Sequence, residues 1–110
     1  MPFHIHCHDD PAKPGLRAHL RAIHLEYMIA HKEMILFGGP LKDAGGTSIG
    51  STLALNCRTQ AEVDAFLAEE PYTRHGLFRS VDINRLAVMI PEAHPGFLDR
   101  ELKRERGAAS

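Results

Sequence analysis

Three histidines alternate with apolar residues at the start of the chain, in the stretch FHIHCHD over residues 3–9. Successive side chains of a β-strand point to opposite faces, so His4, His6 and His8 would line one face at intervals of about 6.6 Å. Two histidines at positions i and i+2 of a strand can bind one zinc ion, but a complete catalytic site needs a third ligand, and the spacing places none. We interpret the row mainly as a face turned to solvent or to a second subunit, with metal binding as the alternative.

A fourth histidine, His24, lies in the segment RAIHLEYM, which has helical periodicity. It stands one turn after Leu20 and one turn before Met28, so it borders the apolar stripe of the predicted helix. A histidine there is commonly structural. It becomes a general base when a carboxylate holds one ring nitrogen and leaves the other free. Asp9 could supply that carboxylate if the turn after the first strand returns to the helix.

The segment EEPYTRHG, over residues 69–76, is the third candidate. Glu69 and Glu70 fit a solvated helix end, whereas Tyr72, Arg74 and His75 could form the rim of a pocket. Carboxylates at a helix C-terminus interact unfavourably with the helix dipole, which indicates a role other than helix stability.

The composition is that of an ordinary globular protein and disfavours several classes of function. The chain has 110 residues and a formal net charge of −1, so it lacks the basic excess that attracts nucleic-acid phosphates. No apolar run approaches the roughly 20 residues that cross a bilayer, no signal-peptide pattern is present, and no phosphate-binding glycine motif occurs. We therefore expect a cytoplasmic protein that binds neither nucleic acid nor membrane. Its two cysteines, Cys7 and Cys57, are expected to be buried, reduced thiols.

Hydrophobic periodicity predicts the element order β-α-β-β-α-β. The first helix is indicated by apolar residues at three- and four-residue steps, namely Leu16, Leu20, Ile23, Tyr27 and Ala30. The predicted strands lie at 3–9, 33–41, 50–57 and within 77–90, and the helices at 16–31 and from the TQAE capping box at 59–62 to Pro71. Two crossovers around a central hairpin give an α+β, ferredoxin-like fold, a four-stranded antiparallel sheet with both helices on one face.

That fold leaves one face of the sheet uncovered, and a second copy of the chain could cover it, so we expect a homodimer. Residues 1–90 are predicted to form the domain. Residues 91–110 form a charged C-terminal extension, either a loosely docked helix over about 97–106 or a frayed tail.

Taken together, the segments CHD, HLEYM, ILFGGPL, GSTLAL, AEVDAFLAEEPYTRHGLF and VDINRLAVMI resemble the YciI (YCII-related) family over roughly residues 1–90. The resemblance implies a dimeric α/β-barrel-like fold and a pocket centred on a histidine and an aspartate, carried over here as His24 and Asp9. It also implies an Asp-Pro-Tyr sequence after the second helix, where this chain has Glu70, Pro71 and Tyr72.

The family includes a dehydrochlorinase that acts on a chlorinated hydroxyhydroquinone, so the resemblance implies a cofactor-free lyase with a small aromatic substrate and no metal. His24 would take a proton from a ring hydroxyl, and Asp9 would stabilise the imidazolium. The residues expected to bind the substrate are His6, His8, Glu70 and Tyr72. The alternatives are a dimeric ligand-binding or accessory protein without catalysis, and a metal-dependent enzyme that uses the histidines of the first strand.

Overall fold

The computed structural model describes residues 1–109. Four strands and four helices follow one another along the chain, and a 3-10 turn at Lys32–Met34 joins the first helix to the second strand. In chain order they are β1 (Phe3–Asp9), α1 (Leu16–His31), β2 (Ile35–Lys42), β3 (Ser48–Leu55), α2 (Gln60–Glu69), α3 (Pro71–Arg74), β4 (Phe78–Arg85) and α4 (Phe97–Ala109).

The strands form one antiparallel sheet in the order β2-β3-β1-β4. Ile5 at the middle of β1 lies opposite Leu53 of β3 on one side and Ile83 of β4 on the other. With two crossover helices, this order is the predicted ferredoxin-like α+β arrangement, which is confirmed. The predicted second and third strands are each displaced by about two residues from those in the structure, a displacement that leaves the hairpin intact.

Strict alternation along β1 separates the two faces of the sheet. Phe3, Ile5 and Cys7 are buried in a cluster with Val63 and Phe66 of α2, so this face meets the helices. The histidines between them point the other way. The apolar half of FHIHCHD therefore forms the core, and the imidazole half lies on the face that the helices do not cover.

The predicted start of α2 is confirmed by its cap. Thr59 Oγ1 accepts a hydrogen bond from the Glu62 N–H, and the Glu62 carboxylate accepts one from the Arg58 N–H. These contacts satisfy backbone donors that the first helical turn leaves without partners. The chain ends α2 at Glu69, and Pro71 then occupies the first turn of α3, where its missing N–H costs nothing.

Beyond β4 the chain leaves the sheet. Val88, Met89 and Ile90 are exposed, and α4 follows, so the helical alternative for the extension holds for its described part. The described chain measures 55 × 31 × 20 Å. The extension's last residue, 110, lies outside the described residues, and the boundary at residue 90 stays a prediction. Over residues 1–109, no helix combines the length and apolar character that crossing a membrane requires.

We predict that I5A lowers the free energy of unfolding by about 2–5 kcal/mol, because Ile5 is completely buried and its truncation leaves a cavity. The matched control is I29A on α1, where Ile29 is 67% exposed and the change should stay within about 0.5 kcal/mol. Urea denaturation followed by circular dichroism measures both. Equal losses from the two variants would contradict this placement of the core.

Candidate functional site

A cavity of about 490 Å³ lies between α1 and the sheet, bordered by the α2–α3 junction. From α1 it is lined by residues that recur at three- and four-residue steps, with one adjacent pair, His24 and Leu25; the six are Arg17, Arg21, His24, Leu25, Met28 and Lys32. This spacing puts all six on one face of the helix. The predicted apolar stripe fits α1 only in part, because Leu20 is buried while Ile23 is 44% exposed. The face of α1 that lines the cavity instead combines apolar, cationic and imidazole side chains, so it carries the groups that could do chemistry.

The opposite wall of the cavity comes from β2 and β3, and a glycine helps to keep it open. Gly38 lies opposite Leu53 in the sheet, and a Cβ atom on Gly38 would overlap the Leu53 side chain. A larger residue at position 38 would therefore push Leu53 aside. The apolar part of this wall suits the flat faces of a ring, while Ser51 offers a hydroxyl.

His24 and Glu70 form the central pair of the site. His24 Nδ1 lies 2.6 Å from Glu70 Oε1, and the side chains are 18% and 3% exposed. An ionised carboxylate can only accept hydrogen bonds, so Nδ1 carries the proton and donates it to this contact. In neutral His24 the other ring nitrogen, Nε2, then has a free lone pair. His24 thus has the tautomer and the fixed orientation of a general base.

Glu70 stays ionised although it is buried. Burial would raise the pKa of its carboxyl, but the hydrogen bond from His24 and those from Thr73 outweigh burial and lower the pKa below its ordinary value. Oε2 accepts the Thr73 N–H at 2.8 Å and the Thr73 hydroxyl at 2.9 Å. Glu70 is therefore also the N-cap of α3, which fixes its second oxygen while the first holds His24.

Tyr72 stacks on the imidazole from one side. The two ring centroids are 3.8 Å apart with an interplanar angle of 12°, and Tyr72 is only 2% exposed. The guanidinium carbon of Arg17 lies 4.8 Å from the centre of the Tyr72 ring. Glu70 and Tyr72, both predicted site residues, are thus brought to His24, one at its edge and one at its face.

The predicted contact of Asp9 with His24 is wrong. Asp9 instead forms a two-point ion pair with Arg17, with Nε 2.8 Å from Oδ2 and Nη2 2.7 Å from Oδ1. Arg17 is the second residue of α1, at the point where the chain returns from β1, so its fork-shaped guanidinium meets the carboxylate before the carboxylate can approach His24. The same Nη2 donates to Ser51 Oγ at 3.0 Å. Asp9 therefore acts on the site through Arg17.

His6 and His8, both expected to bind the substrate, do not reach this cavity. Both lie on the sheet face away from the helices, with ring centroids 4.6 Å apart, and neither lines the cavity. The reason is the alternation of β1, which gives the cavity side to Phe3, Ile5 and Cys7. On the far face His4 Nε2 contacts Thr52 Oγ1 at 2.5 Å. Among the described residues no group of three or more His, Cys, Asp or Glu could hold a metal ion, so no observation favours the metal-dependent alternative.

Cys7 lines the cavity without being reactive. Burial, together with the nearby negative charge of Glu70, raises the pKa of its thiol to about 12. The thiolate is the nucleophilic form of cysteine, and at neutral pH almost none of it would be present. Both thiols, Cys7 and Cys57, are buried and free, as predicted. The chemistry of the cavity therefore centres on the imidazole.

Sequence reasoning missed Arg17, Arg21 and Thr73. The steps from Arg17 to Arg21 and from Arg21 to His24 are helical ones, a signal that could have placed both arginines on the face of His24. In Glu-Pro-Tyr-Thr, the proline fits the first position of a helix, which would make Glu70 its N-cap. Such a cap predicts that the Glu70 carboxylate is held by the first turn of the helix that follows it.

The chain is similar to a known family and to solved structures. A family model described as the YCII-related domain matches residues 1–87. Among solved structures, the chain is similar to the 5-chloro-2-hydroxyhydroquinone dehydrochlorinase TftG from Burkholderia phenoliruptrix, in complex with 2,5-dihydroxybenzoquinone. The two are 34% identical with a TM-score of 0.74, and the match covers 79% of this chain and 94% of the dehydrochlorinase chain.

A more distant structure supports the fold alone. Rv0793 from Mycobacterium tuberculosis is 18% identical with a TM-score of 0.52, over 84% of this chain and 100% of its own. No match is found among curated proteins. The likeness to the dehydrochlorinase is the one that bears on function.

We predict that Glu70 makes the stability of the protein depend on acidity. A carboxyl whose pKa is lowered by folding stabilises the folded state fully above its unfolded pKa, near 4.5, and this contribution is lost as the pH falls through the lowered value. In E70Q the amide nitrogen cannot accept from Thr73, so the variant should be less stable than the parent by about 1–3 kcal/mol at pH 7.

The difference between E70Q and the parent should shrink as the pH falls below 4.5 toward 3, because the parent then loses the charge that the variant lacks. Urea denaturation at a series of pH values measures it. The matched control is E69Q, since Glu69 is exposed and its substitution should leave the pH profile unchanged. A pH-independent gap for E70Q would contradict the role of the carboxylate.

Proposed function

This chain belongs to the YCII-related family, and from that premise we propose that it is a lyase that removes HCl from a chlorinated, hydroxylated aromatic ring without a cofactor. The observation that carries the proposal is the pairing of His24 with Glu70, which leaves Nε2 as a base at the wall of a cavity large enough for one ring. Such a base can take a proton from a phenolic hydroxyl.

The related dehydrochlorinase supports the substrate class. That enzyme is named for 5-chloro-2-hydroxyhydroquinone, and its structure contains 2,5-dihydroxybenzoquinone. Both are single six-membered rings with several oxygens. The cavity of this chain combines apolar walls for a ring with hydroxyl, imidazole and cationic side chains for its oxygens. We propose a substrate of the same class here.

Elimination from such a ring balances without an external oxidant. The proton of the hydroxyl next to the chlorinated carbon moves to that carbon. The hydroxyl becomes a ketone, and the chlorinated carbon is now bonded to both hydrogen and chlorine. The hydroxyl para to the ketone then loses its proton, its electron pair moves through the ring, and the C–Cl bond breaks with release of chloride. The products are a hydroxyquinone, a proton and chloride. The two hydroxyl-bearing carbons that become carbonyls lose two electrons in total. The ring carbon that exchanges chlorine for hydrogen gains two.

The side chains around the cavity match these steps. His24 Nε2 accepts the hydroxyl proton, and the Glu70 carboxylate stabilises the imidazolium that forms. Tyr72 holds the plane of the imidazole by stacking, and Arg17 is held against the Tyr72 ring by Asp9. His24 is the catalytic residue of the proposal. Three positioning residues support it. Glu70 holds Nδ1, Tyr72 stacks on the imidazole, and Asp9 acts through Arg17.

We predict that H24A lowers chloride release from a chlorinated hydroxyhydroquinone by about 100-fold or more, the usual contribution of a general base. The control is H19A, because His19 is exposed on the same helix and does not line the cavity. Chloride is measured by ion chromatography and the quinone by its absorbance. Activity of H24A within tenfold of the parent would refute the general base, and ring binding without chloride release would identify a binding protein instead.

We also propose that the protein is a homodimer in the cytoplasm. Both thiols are free, which suits a reducing compartment. The helices cover one face of the sheet, and the other carries the histidine row beside Phe37, which is 51% exposed and has its ring centroid 6.4 Å from that of His4.

The predicted assembly has twice the mass of one chain. Size-exclusion chromatography with light scattering measures it, and F37E should shift the population toward the single chain, because it places a charge in the contact. The control is I29E, which adds the same charge at an exposed site on α1. A single-chain mass for the parent protein at micromolar concentration would contradict the dimer.

A further inference from the structure

We infer that the cavity binds its ring as an anion and that Arg21 selects the ionised form. The inference rests on the proposed function, which it deepens by naming the charge state of the substrate. It is carried by the distribution of charged side chains around the cavity and by the position of Arg21 beside His24.

The cavity is cationic in a chain that is not. Its lining includes four permanently charged bases, Arg17, Arg21, Lys32 and Lys42, and one carboxylate, Glu70. The whole chain has a formal net charge of −1, so the excess of positive charge at this wall is local. A partly enclosed cleft lined by one sign of charge concentrates ligands of the opposite sign.

The carboxylates near the cavity are already committed to other partners. Asp9 neutralises Arg17 in a two-point ion pair, and Glu70 is held by His24 and Thr73. Arg21, in contrast, has no hydrogen bond or ion pair within the described part of the chain, and the same holds for the side chain of Lys32. The positive charge of Arg21 is therefore available to a ligand.

Arg21 is also placed where a ring oxygen would need it. It precedes His24 by three residues and follows Arg17 by four, so the three side chains line one face of α1. Burial raises the pKa of Tyr72, and the charges of Arg17 and Arg21 oppose that rise, which shows that the field of Arg21 reaches the ring stacked on His24. Lys32 lies at the far end of the helix.

This arrangement suits a ring that has already lost one hydroxyl proton. A guanidinium pairs with a phenolate oxygen through charge-assisted hydrogen bonds, while His24 Nε2 remains free to accept a proton from a neighbouring, still neutral hydroxyl. A neutral ring would keep the apolar contacts and neutral hydrogen bonds but would lack the charge-assisted ones. The cavity should therefore discriminate between ionised and neutral rings of the same shape.

The test compares two quinones by isothermal titration calorimetry at pH 7. The first is 2,5-dihydroxybenzoquinone, a vinylogous acid that is ionised at this pH, and the second is 2,5-dimethoxybenzoquinone, which has the same ring and cannot ionise. The parent protein should bind the ionised quinone at least about tenfold more tightly. R21Q should weaken the ionised quinone by about fivefold and the neutral one by less than twofold, the modest figure reflecting solvent screening at an exposed arginine.

Two controls separate charge from folding. R58Q removes an exposed arginine outside the cavity and should leave both affinities unchanged, and R21K should retain most of the preference because it keeps the charge. Added salt should weaken the ionised quinone in the parent more than in R21Q. Equal affinity of the parent for the two quinones, or an equal loss for both in R21Q, would overturn the inference.

The outcome is separable from that of the proposed lyase activity, because binding is measured without turnover. A parent protein that prefers the ionised quinone but releases no chloride would support the anion site and refute the lyase. Chloride release with no preference between the two quinones would refute the anion site and support the lyase.

Discussion

The contact between Glu70 and His24 is the constraint on which the rest of the site depends. A carboxylate that is only 3% exposed must be given hydrogen-bond donors, since an ionised group buried without partners costs far more than folding can supply. Glu70 finds them on two elements at once, His24 on α1 and Thr73 on α3. The need to satisfy one buried charge therefore ties the long helix to the α2–α3 junction and closes one end of the cavity.

The second ion pair of the site extends this order to the sheet. Asp9, at the end of β1, fixes Arg17, which in turn donates to Ser51 on β3 and lies against the Tyr72 ring. Tyr72 stacks on the imidazole that Glu70 holds. His24 is thus restrained at its edge by one carboxylate and, through an aromatic ring and a guanidinium, at its face by the other. The imidazole of His24 is therefore held in one orientation, with Nε2 left to accept or release a proton.

Local patterns predicted the elements well and the contacts between them less well. The alternation of FHIHCHD, the periodicity of α1 and the Thr59 cap depend on neighbours in the chain. The structure confirms the strand, the helix and the cap, although only part of the predicted apolar stripe of α1 is buried. The partner of His24 lies 46 positions further along the chain, so the contact depends on how separate helices pack, which no periodicity encodes. Asp9 was the wrong choice because Arg17, only eight positions away, is the stronger and nearer partner. Likewise, alternation established that the histidines share a face, but not that the helices cover the other one.

The resemblance to the family implies Asp-Pro-Tyr where this chain has Glu70, Pro71 and Tyr72, and the contacts of Glu70 indicate what the longer side chain does here. The carboxylate must reach Thr73 on its own element and His24 on another, and both oxygens are in use. Aspartate is shorter by one methylene, about 1.5 Å of reach. It could still cap α3, as aspartate commonly does, but it would meet His24 only if α1 lay closer to the junction. The longer side chain of Glu70 therefore spans from the cap of α3 to His24 on α1, at the edge of the cavity.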